Sequence, residues 1–160
     1  MEEAALEAVI GDLLPLARVV TPNIPEAETF AGITITSEAD MRRAAAIIRE
    51  MGARAVLVKG GHLGDQKAES RRQRAEAQEG SDEAIDVLDN EGKVTVFRER
   101  RVVGDGLHGS GCILSAAIAA GLGKGMTLEG SVGAAKSFVL EAIRRSARGL
   151  NGGFNFELQQ

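Results

Sequence analysis

Tryptophan and tyrosine are absent from the 160 residues, and five phenylalanines are the only aromatic side chains. The core must therefore be packed from alanine, valine, isoleucine and leucine. A single cysteine excludes an intramolecular disulfide and suits a reducing compartment, so the chain reads as cytoplasmic. Two histidines and that one cysteine give no zinc-ligand spacing. No apolar run reaches the roughly 18 residues of a membrane-spanning helix. The start, Met1-Glu2-Glu3, is acidic, unlike the basic start of a signal peptide. Net charge is −4 and no basic face is evident, which argues against nucleic acid or an anionic membrane as the main partner. Neither the Walker pattern nor the dinucleotide fingerprint occurs: Gly104-Asp105-Gly106 lacks the third glycine and does not lead directly into a helix.

What is present is an ordinary globular composition, 44% hydrophobic and 26% charged, with an excess of glycine. The 20 glycines exceed an average of about 7% and point to backbone that must turn tightly or approach a ligand. The length suits one domain over 1–160 or a large part of one. Residues 4–14 read as an amphipathic helix stopped by Pro15, and 17–20 as a short strand broken by Thr21-Pro22-Asn23. Pro25 and Glu26 suit the first turn of a short helix over 25–30. Residues 37–51 form the clearest helix, with Ser37 as cap, an apolar stripe through Met41, Ala44, Ala45, Ile48 and Met51, and Gly52 at its end. An apolar strand over 54–58 enters Lys59-Gly60-Gly61-His62. The stretch 64–83 is polar and without a stripe, and reads as a surface loop. Residues 84–88 and 93–97, around a turn at Asp89–Gly92, read as a β-hairpin that 100–103 could extend. A helix of small residues over 113–122 and a final helix over 128–147, capped by Thr127 and striped by Val132, Ala135, Val139 and Ile143, complete the pattern. Continuous apolar strands between helices predict an α/β fold, a mainly parallel sheet with helices on both faces.

The segment with the most chemistry is His108-Gly109-Ser110-Gly111-Cys112, running into a helix. Glycines let N–H groups converge, and a helix start adds unpaired donors and the positive end of the dipole. Together they suit a phosphate, or charge developing during phosphoryl transfer. Cys112 in the first turn would have its thiolate favoured by that field. Spacing alone fits a tight turn with an inert cysteine equally well. Alone, Glu26 reads as a helix N-terminal acid, Asn23 as a turn residue, Lys59 as a surface lysine and His62 as a loop histidine.

Taken together and in order, Thr21-Pro22-Asn23-Ile24-Pro25-Glu26-Ala27-Glu28, Val58-Lys59-Gly60-Gly61-His62, His108 through Ala119, and Ala135-Lys136-Ser137-Phe138-Val139 resemble the hydroxymethylpyrimidine phosphate kinases of thiamine biosynthesis, within the ribokinase-like superfamily. The resemblance covers about residues 5–147 apart from 64–83. It implies ATP-dependent phosphorylation of hydroxymethylpyrimidine phosphate, and in many members of the free alcohol, with Mg²⁺. By match, Gly109, Ser110, Gly111 and Cys112 would form the anion hole, and Cys112 would stand where the base that activates the substrate hydroxyl stands. Sugar kinases of the superfamily carry aspartate there. Asn23 and Glu26 match an Asn-x-x-Glu element that organises Mg²⁺ and phosphates. Lys59, Gly60, Gly61 and His62 match a strand-end loop beside the nucleotide, and Lys136 a position near the phosphates or adenine. Leu107 and Ser110 depart from the commoner residues at their positions.

The resemblance also implies a longer chain, of which this would be the C-terminal half, without the N-terminal strands and most of the pyrimidine pocket. A sheet cut in that way exposes unpaired edge groups, so a homo-oligomer or association with the missing half is expected. Three readings remain: a pyrimidine-type kinase (pyridoxal-type substrates being the near neighbour), a nucleotide-binding half inactive on its own, and an oligomerising remnant that binds neither ligand.

Overall fold

A computed structural model describes residues 3–60, 83–100 and 110–147. They fall into two compact units, Met1–Arg101 and Val102–Gln160.

In the first unit the N-terminal helix is shorter than the expected 4–14 and changes pitch. Helix α1 covers Glu3–Ala8, Val9–Leu13 widen into a π turn, and Leu14–Leu16 tighten into a 3-10 turn. Pro15 has no N–H to give to an α-helical ladder. It sits at the start of the tighter turn, and the chain passes through it to Leu16. Helix α2 (Ile24–Ala31) closes at Gly32, whose φ of 65° is the left-handed conformation that glycine adopts without strain. Helix α3 (Glu38–Glu50) starts where expected: the Ser37 side chain accepts the Asp40 N–H. Its Met41, Ala44, Ala45 and Ile48 are fully buried, as their spacing requires.

Strands β1 (Ala55–Lys59), β2 (Glu83–Asn90) and β3 (Lys93–Arg100) lie in that spatial order and are antiparallel. Here the sheet differs from the mainly parallel arrangement expected. Parallel pairing occurs on the other side of β1, as bridges from Val20 to Val56 and from Asn23 to Lys59. Leu57 N–H donates to the Val20 carbonyl at 2.8 Å and Lys59 N–H to that of Pro22 at 2.9 Å. The connections explain the difference. Residues 20 and 56 are joined through α2 and α3, the crossover that a parallel pair needs, whereas β2 and β3 are joined by a two-residue turn. That turn is narrower than the expected Asp89–Gly92. Glu91 and Gly92 alone form it, with φ of 54° and 90°, and Asp89 and Asn90 remain in the strand. Glu83 belongs to β2 and not to the loop; the rest of 64–83 lies outside the described residues.

Val56, Val58 and Val87 pack with α2 and α3 in one core cluster with Ile24, Ala27, Ile35 and Leu14. Leu57 and Leu88, one step along on the opposite face, are buried as well, so both faces are closed to water along Ala55–Val58 and Asp86–Asp89.

The second unit contains α4 (Ser110–Gly123) and α5 (Leu128–Ala147), which pack on each other. Thr127 caps α5 by accepting the Gly130 N–H at 3.1 Å. Gly121 allows the close crossing: a Cβ there would lie 2.7 Å from Ser131 Oγ. Among the described residues, no helix is long and apolar enough to cross a membrane.

Candidate functional site

Four of the candidate residues meet at the carboxyl end of β1. Asn23 is the N-cap of α2, its ψ of 175° turning the extended chain into the helix. Its Oδ1 accepts the Glu26 N–H at 2.9 Å, and Glu26 Oε2 accepts the Asn23 N–H at 2.8 Å. This reciprocal pair is a capping box, with Pro25 between the two residues at a position that needs no N–H. Both side chains therefore hold the helix start. They leave Glu26 Oε1, on an exposed residue, as a carboxylate oxygen outside the box. One free carboxylate oxygen beside an amide suits a cation that keeps most of its water, as Mg²⁺ does, and not an ion that needs an all-protein cage. Among the described residues no group of three His, Cys, Asp or Glu could form such a cage.

The Asn23–Lys59 bridge brings this cap beside the end of β1. Lys59 is half-buried. Gly60 follows where the backbone passes so close to β2 that a Cβ would lie 2.1 Å from the Ile85 carbonyl oxygen and 2.8 Å from Met41 Cε. The absence of a side chain at Gly60 is thus explained by strand packing. Its N–H donates to Asp86 Oδ1 at 2.9 Å in a buried bond. Asp86 was not among the candidates; the one signal for it in the sequence is an acid inside the apolar run of 84–88.

In the second unit, Ser110, Gly111 and Cys112 are already helical and form the first turn of α4, where the expectation had the helix begin at 113. Cys112 is exposed and is a free thiol. The Gly111 carbonyl accepts from Ser115 Oγ at 3.0 Å, and the N–H groups of a helix's first turn have no acceptor within the helix itself. Lys136 lies in α5 and is 8% exposed. Burial to that degree is rare for a lysine unless it is engaged, and Lys136 does have an interaction. Gly61, His62 and Gly109 lie outside the described residues.

Solved structures similar to this chain are kinases of small molecules. The pyridoxal kinase of Staphylococcus aureus in complex with AMP-PCP and pyridoxal matches with a TM-score of 0.76 and 33% identity, over 89% of this chain and 48% of that one. The phosphomethylpyrimidine kinase of Clostridium difficile matches with a TM-score of 0.63 and 35% identity, over 86% and 48%. The chain therefore has the ribokinase-like kinase fold. The phosphomethylpyrimidine kinase family model matches residues 1–155, and the chain belongs to that family. Among curated relatives, the hydroxymethylpyrimidine/phosphomethylpyrimidine kinase of Rhizobium meliloti is 43% identical over 145 residues, 90% of this chain and 48% of the relative. The bifunctional thiamine biosynthesis protein of Geobacter sulfurreducens is 36% identical over 146 residues, 90% of this chain and 26% of the relative. The chain spans about half the length of the first of these relatives and about a quarter of the second.

Proposed function

We propose that this chain carries the nucleotide- and phosphate-handling part of an ATP-dependent kinase that phosphorylates hydroxymethylpyrimidine phosphate, and hydroxymethylpyrimidine, in thiamine biosynthesis. The observation that carries the reading is the family match across residues 1–155. In this reading the N–H groups of Gly109, Ser110, Gly111 and Cys112 receive the charge of the transferring phosphoryl group, as a helix start can. Cys112 takes the proton of the substrate hydroxyl as its oxygen bonds to the γ-phosphorus; the bond from that phosphorus to the bridging oxygen breaks, and ADP leaves. Lys59 and Lys136 offset phosphate charge, with Gly61 and His62 beside the nucleotide. Gly60 contributes by its shape, because its N–H is held by Asp86. Asn23 and Glu26 would hold Mg²⁺, which when bound would neutralise phosphate charge. A cytoplasmic location accompanies the single cysteine.

A second reading, a pyridoxal-type kinase, is favoured by the TM-score of 0.76 to the pyridoxal kinase, against 0.63 to the phosphomethylpyrimidine kinase. A partner, either a second copy or the half of the domain absent from this chain, is part of the proposal. Leu16, 83% exposed, and Leu13, 58% exposed, support it. Sedimentation showing a compact monomer at micromolar concentration refutes that part.

Calorimetry with Mg-ATP, repeated with hydroxymethylpyrimidine phosphate and with pyridoxal, tests the whole. Heat with Mg-ATP and ADP release with the pyrimidine are expected. ADP release with pyridoxal alone selects the second reading. Heat without turnover identifies a nucleotide-binding half, and no heat and no thermal shift overturns both kinase readings.

A further inference from the structure

We infer that Asp86 is a positioning residue for Lys59 and Gly60; the inference rests on the reading above, in which those two residues border the nucleotide. Asp86 is 7% exposed, and a carboxylate so far from water must be satisfied by hydrogen bonds. It accepts the Gly60 N–H at 2.9 Å, a bond strengthened by its charge. It is also the cross-strand partner of Lys59, so the two side chains leave the same face of the sheet. Gly60 also passes close against the Ile85 carbonyl of the same strand as Asp86, and on the other edge of β1 the Lys59 N–H is bonded to the Pro22 carbonyl. Asp86 thus completes a three-way anchor that sets where β1 ends and where Lys59 is delivered, next to the Asn23–Glu26 cap.

The same strand contains a natural control. Asp89 is 2% exposed, and its Oδ1 accepts the Gly92 N–H at 2.8 Å at the hairpin turn. Arg49 Nε donates to its other oxygen at 3.3 Å. Each aspartate holds a glycine N–H, but only Asp86 holds one at the candidate site.

The test compares Asp86→Ala, Asp86→Asn and Asp89→Ala in the full chain, by melting temperature and by calorimetry with Mg-ATP. Both alanine variants are expected to melt earlier. Only Asp86→Ala should weaken Mg-ATP, by about tenfold, the loss of one charge-assisted hydrogen bond. Asp86→Asn keeps an oxygen for the Gly60 N–H and should weaken it about threefold. Nucleotide affinity unchanged in Asp86→Ala overturns the inference while the kinase reading stands. Equal weakening in Asp89→Ala also overturns it, since general loss of stability would then be the cause. If Asp86→Ala does not fold, Asp86→Asn decides by the same criterion. A wild-type chain that gives no heat with Mg-ATP overturns the kinase reading and the inference with it.

Discussion

The two groups of candidate residues, one in each unit, are built in opposite ways. At the end of β1, the local geometry is tied down: Asn23 and Glu26 by each other, Gly60 by Asp86 and by the Ile85 carbonyl, Lys59 by Pro22. At the start of α4, Cys112 is exposed, and the first turn carries little besides backbone donors. The first region carries residues that shape the fold and that, in the proposed reading, also border the nucleotide. The second presents an exposed thiol, which no packing contact among the described residues requires to be cysteine. Substitutions in the first should therefore cost stability, and substitutions in the second should cost activity alone.

The largest effect expected is on the second side. Cys112→Ala should lower phosphoryl transfer by about 10²- to 10⁴-fold, the range for loss of a general base. Its unfolding free energy should stay within about 0.5 kcal/mol of wild type, because the side chain is exposed. Steady-state kinetics and urea denaturation on one preparation check both halves. A destabilised Cys112→Ala would erase the contrast, and an active one would remove Cys112 from the role of base.

Gly60→Val comes next, and reverses the pattern. Its Cβ would lie 2.1 Å from a strand carbonyl, which is backbone and cannot swing aside. A cost of about 3 kcal/mol is expected in urea denaturation, at the upper end for overpacking. A valine tolerated there would mean that β1 and β2 separate easily and that the anchor at this end is loose.

Asn23→Ala sharpens the comparison on a smaller scale. It removes the acceptor of the Glu26 N–H and should cost about 1 kcal/mol, as loss of a helix cap does. If urea denaturation shows no change, the capping box does not stabilise α2, and the two residues are held for ligands alone.

Much of this arrangement is legible in the sequence. Helix α3, helix α5 and the hairpin follow from periodicity, from Ser37 and Thr127, and from the apolar runs around Asp89–Gly92. Strand direction does not, because a run such as Val56-Leu57-Val58 is buried on both faces and looks the same in a parallel or an antiparallel neighbourhood. Asn23 and Glu26 stand out in the sequence, but Asn-x-x-Glu fits a ligand pair as well as a reciprocal cap, and the pattern alone does not choose. The reason for Gly60 was out of reach: the carbonyl that excludes a side chain belongs to Ile85, 25 residues away on another strand. Contacts of that separation leave no local pattern.

The smallest effect expected is one of pH, and it too belongs to the first unit. Glu38 is held below its ordinary 4.5 chiefly by the hydrogen bond from Arg42, then by that from Arg98. Asp40 is held below 3.8 chiefly by the Ser37 hydroxyl, then by the Thr36 backbone N–H and side chain. Both groups release their protons more readily in the folded chain than in the unfolded one. Their contribution is therefore complete above about pH 4.5 and is lost as pH falls through the lowered folded values. Both carboxylates are half-buried at the protein surface, where water and salt still reach them and keep the effect modest. The urea midpoint should not change with pH on account of these groups between pH 7 and 5, and should decline below 4.5. Glu38→Gln combined with Asp40→Asn should flatten that decline. A double variant with the wild-type acid slope would assign the slope to other carboxylates and leave the start of α3 held by its neutral partners alone.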